Sequence, residues 1–303
     1  MSERAPARPD RMRHLGGVAL MVASAGCFAA NALLIRELGR FMTVNVWLLT
    51  SVRFLVGLAL IAVFLRDSFQ PAHLLSNRKL IERGLVGGLG VMAYYEAIIH
   101  IGAARSTFIN NTYIFWAAFM AAWVFRERLR PLTVAGGIAA LAGIALLTGV
   151  FSAGAGPGIY DCFAVASALG SAYVAVAIRQ LHATERTATI FGAQCSYGLV
   201  LSCAFALMPG GSASGAHAMR LPPPAWGLVL LSGVCVAGGQ LAQTRAYRDL
   251  RVAEGSLLQT LSPLGTAFGS AIFFGEQLTM REIAGASLIL AGTAAAAFRP
   301  RAA

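Results

Sequence analysis

Long apolar runs, rather than short alternations, set the pattern of this chain. No Asp, Glu, Lys or Arg lies between Arg105 and Arg126, Arg130 and Asp161, Arg186 and Arg220, Arg220 and Arg245, or Glu254 and Glu276. A helix needs about 20 mostly apolar residues to cross a bilayer. Windows of that kind predict ten spans: 15–35, 43–65, 84–101, 107–125, 132–150, 160–178, 188–208, 225–244, 253–274 and 281–297. Barrel strands would alternate apolar and polar positions over about ten residues. These runs are about twice as long and apolar on all sides, so they read as helices. The first follows an Arg-rich start without a small-residue cleavage pattern, and reads as a retained helix. The expectation is an all-α membrane protein with ten transmembrane helices.

Composition narrows the picture further. Of 303 residues, 57% are hydrophobic and 12% charged, against roughly 25% charged in an ordinary soluble domain. That excludes a soluble enzyme, a secreted disulfide scaffold and a disordered chain. The net charge of +11 raises nucleic acid as a partner, but its placement answers otherwise. With the N-terminus inside, 18 of the 24 Lys and Arg residues fall in cytoplasmic segments, five in outer loops, and Arg53 inside a span. This bias predicts both termini in the cytoplasm. The basic loops then face anionic lipid headgroups rather than nucleic acid. Cys27, Cys162, Cys195, Cys203 and Cys235 form no Cys-x-x-Cys pair and have no His cluster beside them. They read as small packing residues, with no metal site and no cofactor expected.

The chain also resembles itself. Val22-Ala23-Ser24-Ala25 recurs 143 residues later as Val165-Ala166-Ser167-Ala168, and Ala29, Ala32, Ile35, Arg36 and Leu38 recur as Ala172, Ala175, Ile178, Arg179 and Leu181. A second match, offset by 149, pairs Phe125, Glu127, Leu129, Ala135, Gly136, Ala142 and Gly143 with Phe274, Glu276, Leu278, Ala284, Gly285, Ala291 and Gly292. The expected organisation is a tail (1–14), a five-helix repeat (15–150), a linker (151–157), a second repeat (158–297) and a tail (298–303). An odd number of spans inverts the second repeat relative to the first, which is a transporter architecture. Two similar halves in opposite orientations give inward-open and outward-open states of similar energy, with a substrate site between them.

Five plus five helices in about 300 residues, with Phe-x-Glu-x-Leu closing the fourth and ninth, resemble the drug/metabolite transporter superfamily, EamA type. The second repeat carries the pattern well, with Pro263 thirteen residues before Glu276. The first departs from it: Ile114 stands at the equivalent position, within Asn110-Asn111-Thr112-Tyr113-Ile114-Phe115-Trp116. That polar, aromatic helix is most similar to the YddG-type amino-acid exporters. The resemblance implies a bacterial inner-membrane carrier that moves amino acids or related metabolites out of the cytoplasm.

An ionisable residue within the membrane is a functional candidate by default. Arg53, near mid-depth, could hold a substrate carboxylate; Glu96 could pair with it. Glu96 and His100, both near the outer face, are the candidates for proton coupling. No other carboxylate lies deep in the spans, which favours facilitated diffusion over proton antiport. The neutral polar candidates for a central cavity are Asn31, Asn110, Asn111, Gln240, Gln243, Gln259 and Ser262. Thr112 and Gln194 lie at similar depth. Buried amides cost several kcal/mol when unpaired in lipid, on the order of a lost hydrogen bond or more. About half of these should therefore bond to neighbouring helices. Tyr94, Tyr95, Tyr113, Trp116 and Tyr173, with Tyr197, could supply an aromatic wall suited to small zwitterions. Pro263 is the candidate hinge. Asn31 and Asn110-Asn111 could play that part in the other half.

Gly136, Ala140, Gly143, Gly285 and Gly292 predict close helix packing, with dimer contact as the alternative and a monomer or homodimer as the assembly. Glu127 and Glu276 sit where a carboxylate complements a helix N-terminus. Asn110-Asn111-Thr112 matches a glycosylation sequon inside a span, so it should not be modified. No nucleophile motif supports an enzyme. The rival function is a proton-coupled efflux pump for drugs or toxic compounds.

Overall fold

A computed structural model describes residues 8–38, 46–126, 129–150, 158–206, 223–275, 277 and 279–297. The described residues are helical, with no strand among them. In order, the helices are α1 (Arg8–Leu38), α2 (Val46–Phe64), the short α3 (Pro71–Ser76), α4 (Arg78–Ile101), α5 (Ala103–Asn111), α6 (Tyr113–Phe125) and α7 (Pro131–Thr148). Then come α8 (Ile159–Leu181), α9 (Thr187–Ala206), α10 (Pro223–Ala246), α11 (Val252–Leu258), α12 (Leu261–Phe274) and α13 (Met280–Ala297). A 3₁₀ turn, Arg66–Ser68, follows α2.

Local chemistry explains the ends. α7 opens on Pro131, where the missing N–H costs nothing, and closes on Gly149 at φ 64°. Asn77 caps α4 by accepting from the Lys79 amide at 3.1 Å. α6 and α12 both end on a left-handed residue 149 positions apart, Arg126 at φ 53° and Gly275 at φ 67°.

Among the described residues, seven helical segments are long and apolar enough to cross a membrane, and α2, α4 and α13 fall outside that set. α4 begins six residues before the predicted span and carries Arg78, Lys79, Glu82 and Arg83 in its first turns. The outer surface is apolar, with Trp123 82% and Ile272 76% exposed. Water would penalise such a surface; hydrocarbon accepts it.

Two predicted spans are broken: Thr112 separates α5 from α6, and Gln259-Thr260 separate α11 from α12. Pro263 lies in the first turn of α12, where its lack of an N–H is harmless. The break falls at the carbonyl four residues back, which proline cannot serve. The earlier break has no proline. There the Asn111 side chain donates to the Thr107 carbonyl at 2.7 Å and Thr112 to that of Ile109 at 2.7 Å. α1 runs unbroken through Asn31, so that residue makes no hinge.

The helix contacts repeat when the halves of the chain are exchanged. α1 packs on α10 and α12; α8 packs on α4 and α6. α2 packs on α10 and α9 on α4, while α2–α9 and α7–α13 join equivalent helices. The α7–α13 contact is the most extensive. A Cβ built on Gly136 would lie 2.6 Å from the Gly292 carbonyl oxygen, and one on Gly285 2.6 Å from that of Gly143. Only glycine permits that approach. Glu127 and Glu276 lie outside the described residues.

Candidate functional site

α1 and α8 each cross the broken span of the other half, and each crossing has three polar levels. At mid-depth, Ser24 donates to Gln259 Oε1 at 3.4 Å, and Asn110 Nδ2 donates to Ser167 Oγ at 2.8 Å. Gln259 lies in one helix break and Asn110 two residues before the other, in the last turn of α5, and both serines are buried. Twelve residues along each helix, Arg36 stacks on Phe274 at 4.5 Å and Arg179 on Phe125 at 4.6 Å. Arg36 also donates to Ser270 at 3.0 Å. These contacts lie at opposite faces of the bundle: the first at the far face, the second at the near face where α1 begins. The third level pairs a carboxylate with a basic side chain. His14 Nε2 meets Glu254 Oε1 at 2.6 Å on the near face. Arg105 grips Asp161 through two bonds, Nε–Oδ1 at 2.7 Å and Nη2–Oδ2 at 3.1 Å, on the far face.

Most of the predicted polar residues serve the scaffold. Asn31 accepts from Ser232 at 2.6 Å, joining α1 to α10. The Tyr94 hydroxyl meets that of Thr107 at 2.8 Å, with the Tyr95 ring 6.1 Å from the Tyr94 ring. Tyr113 is buried and donates to the Ser256 carbonyl at 3.1 Å, while Tyr247 meets the Ser256 hydroxyl at 3.1 Å. Tyr173 donates to Glu82 at 2.7 Å and Tyr197 to the Leu74 carbonyl at 2.8 Å. By contrast, the side chains of Gln240, Gln243 and Ser262 are half-buried and have no hydrogen-bond partner among the described residues. Trp116 is exposed.

Arg53 and Glu96 do not form the pair suggested by their depth. Glu96 Oε2 faces His100 Nδ1 at 3.6 Å, and the His100 ring stacks on Tyr160 at 3.7 Å, on the far face. Arg53 is half-buried, with its guanidinium 5.3 Å from the Phe54 ring. Helix α4 contacts α8 and α9 far more than α2, which separates the two.

A second arginine escaped the sequence reading. Arg83, grouped there with the loop cations, is 1% exposed. Its Nη1 donates to Gln194 Oε1 at 2.7 Å, and its Nε has no partner among the described residues. The early start of α4 turns it into the bundle. His14, Glu254, Arg105 and Asp161 were missed as a set as well. Their signal was position: Arg105, Asp161 and Glu254 each bound a charge-free run.

A cavity of about 810 Å³ opens on the near face. It reaches Leu20 on α1 and Gly238 on α10, and holds none of the predicted substrate residues. Gln240 and Gln243 lie on the same stretch of α10 as its wall residues Leu241 and Ala242. At its rim, His182 Nε2 donates to the Thr244 carbonyl at 2.7 Å. Burial, then the Arg248 and Arg245 charges, push His182 below the ordinary histidine range, against the pull of that carbonyl and Asp249. A depressed imidazole stays neutral at pH 7, which fits Nε2–H as donor.

The family model of the EamA-like transporter family matches residues 15–149 and again 158–298. The chain belongs to the EamA-like transporter family. It is therefore a multi-pass membrane protein of a transporter family within the drug/metabolite transporter superfamily. Among its relatives is the pseudopaline exporter CntI of Pseudomonas aeruginosa (strain UCBPP-PA14). The two are 25% identical over 280 residues, covering 90% of this chain and 93% of the relative. A protein of known crystal structure is 20% identical with a TM-score of 0.75, covering 92% of this chain and 96% of that one. That likeness shows a shared fold for this member of the family.

Proposed function

We propose that this chain exports amino acids, neutral and aromatic, or related small metabolites across the bacterial inner membrane by alternating access, as facilitated diffusion. In this reading ten spans form two inverted five-helix repeats, 15–150 and 158–297, with both termini in the cytoplasm and the near face inward. The observation that carries it is the pairing of contacts at opposite faces. Each crossing helix holds a lock, a mid-depth serine–amide bond and an Arg–Phe clamp, and the order reverses between the halves. Opening one lock while closing the other exchanges the two conformations. The double match of the family model and the exporter relative support the reading.

Gln240, Gln243, Ser262, Arg53 and Trp116, which keep polar atoms or ring faces uncommitted, are the first substrate contacts to test. The break at Gln259-Thr260, ahead of Pro263, is the proposed hinge of the second half. The Asn110-Asn111-Thr112 break is its counterpart in the first half.

The test is counterflow of radiolabelled amino acids into proteoliposomes preloaded with the same amino acid, without an ion gradient. Saturable exchange supports the reading, and Arg53→Gln should abolish it. Normal flux in a folded Arg53→Gln variant would remove Arg53 from the site. One observation favours the rival, proton-coupled efflux: His14–Glu254 is a buried titratable pair, joined on the far face by Glu96–His100. Flux that appears only under a proton gradient would select it.

A further inference from the structure

We infer that the near-face cavity is an entrance selective for anions, so that the carrier's preferred cargo bears a net negative charge and an apolar portion. The inference rests on the transport reading and concerns which substrates that cavity draws in.

The cavity lining carries three cations and one acid. Arg186, Arg245 and Arg248 border it, and Glu185 is the acid. Glu185 is committed elsewhere: its carboxylate accepts from Asn77 at 2.8 Å and meets His73 at 3.0 Å, and its side chain is almost wholly buried. Those bonds fix its position without removing its charge, so the lining holds three cations against one acid and keeps an excess of positive charge. Arg186 is held at the rim by donating to the Asp67 carbonyl at 3.1 Å, a bond to a neutral acceptor that leaves its charge intact. Arg245 donates to Asp249 at 3.0 Å. Arg248 is exposed, and its guanidinium has no hydrogen bond or ion pair among the described residues.

Two of the three guanidiniums thus lack a carboxylate. A low-dielectric wall behind them focuses their field into the opening. Leu20, Leu65 and Leu241 supply apolar surface in the same lining. Cationic and apolar groups together suit an amphiphilic carboxylate, with its head at the arginines and its chain against the leucines. The volume lies within the range of about 300–1,000 Å³ that small-molecule sites occupy.

A free carboxylate and an anionic lipid headgroup share this chemistry; the inference commits to the free substrate. Leucine and N-acetylleucine have the same apolar chain, but the first is a zwitterion and the second an anion, so they make the probe pair. Exchange is measured in proteoliposomes, with each compound competing from one face at a time. Binding is measured in neutral detergent micelles with and without phosphatidylglycerol. N-acetylleucine should compete better than leucine from the near face only.

The double variant Arg186→Gln with Arg248→Gln should weaken N-acetylleucine on that face about tenfold, as loss of charge-assisted bonds does. Leucine should change less than about twofold. Arg248→Lys, which keeps the charge, should restore most of the loss. Equal effects on both compounds, no effect on either, or displacement of N-acetylleucine by phosphatidylglycerol would overturn the entrance. Absence of leucine exchange by the wild type, with N-acetylleucine exchange intact, would instead remove the neutral amino-acid reading and keep the entrance. If neither compound exchanges and N-acetylleucine does not bind in micelles, the entrance falls too.

Discussion

The crossing of α1 over α11–α12 and that of α8 over α5–α6 use the same parts and differ in their chemistry. Both have an arginine stacked on a phenylalanine at nearly the same distance, and both have a buried serine bonded to an amide in or next to a helix break. The clamps are near-copies, and each such contact stabilises by about 0.5–2 kcal/mol. The locks are not copies. On the far face Arg105 and Asp161 are joined by two bonds, a fork that matches a carboxylate. On the near face His14 meets Glu254 through a single contact, and imidazole is cationic only when protonated. The serine–amide bond is also shorter in the crossing that includes the far lock. Glu254 and Arg105 stand at matched positions, offset by 149, but His14 and Asp161 do not match under the offset of 143, and the two faces are held by contacts of unequal strength.

The sharpest way to break this comparison is to cut one lock at a time. Asp161→Asn should destabilise the protein more than Glu254→Gln, by up to about 3 kcal/mol, because it leaves a guanidinium without its fork. Thermal unfolding in detergent measures this, and equal losses would mean that the locks are equivalent. Next in size, Asn110→Ala should cost about 1–2 kcal/mol, since it strips the donor from buried Ser167. Gln259→Ala should cost less than half as much, because its bond at 3.4 Å is already long. The reverse order would show that bond length is not what separates the two breaks.

A smaller pair of substitutions should have opposite signs. Arg126→Gly relieves a left-handed arginine and should stabilise by about 1 kcal/mol, whereas Gly275→Ala should destabilise by about as much. The smallest effect concerns pH. His182 is depressed by burial, so between its folded and ordinary pKa the unfolded chain binds more protons. Stability should therefore rise with pH through that window and be lost as pH falls below the ordinary histidine range. His182→Gln should flatten the slope of melting temperature against pH there; an unchanged slope would assign it to another group.

The helices were legible because apolar runs need no tertiary information. The internal sequence match was legible because Ser24, Ser167, Arg36, Arg179, Phe125 and Phe274 all stand in matched positions. What those residues touch was not legible. Each arginine stacks on the phenylalanine of the other half, and neither match alone shows the halves interlocked. Pro263 announced the second break by its chemistry. The first break, held by Asn111 and Thr112 bonding to preceding carbonyls, carries only a polar cluster as its signal. Arg83 was misplaced because a charge at a span boundary reads as a loop residue; the helix start at Arg78 turns it inward to Gln194. The polar candidates divided by an accounting that sequence cannot perform. Asn31, Asn110, Asn111 and Gln259 found partners on their own or crossing helices, while Gln240 and Gln243 did not.

The most direct test of the central claim, that the two locks act in opposition, is hydrogen exchange followed by mass spectrometry on Asp161→Asn and Glu254→Gln in lipid nanodiscs. Glu254→Gln should raise exchange in residues 12–20 and 252–258 on the near face while lowering it in 103–111 and 159–165 on the far face, and Asp161→Asn should do the reverse. Increases confined to the mutated face, with no answering decrease at the other, would contradict it.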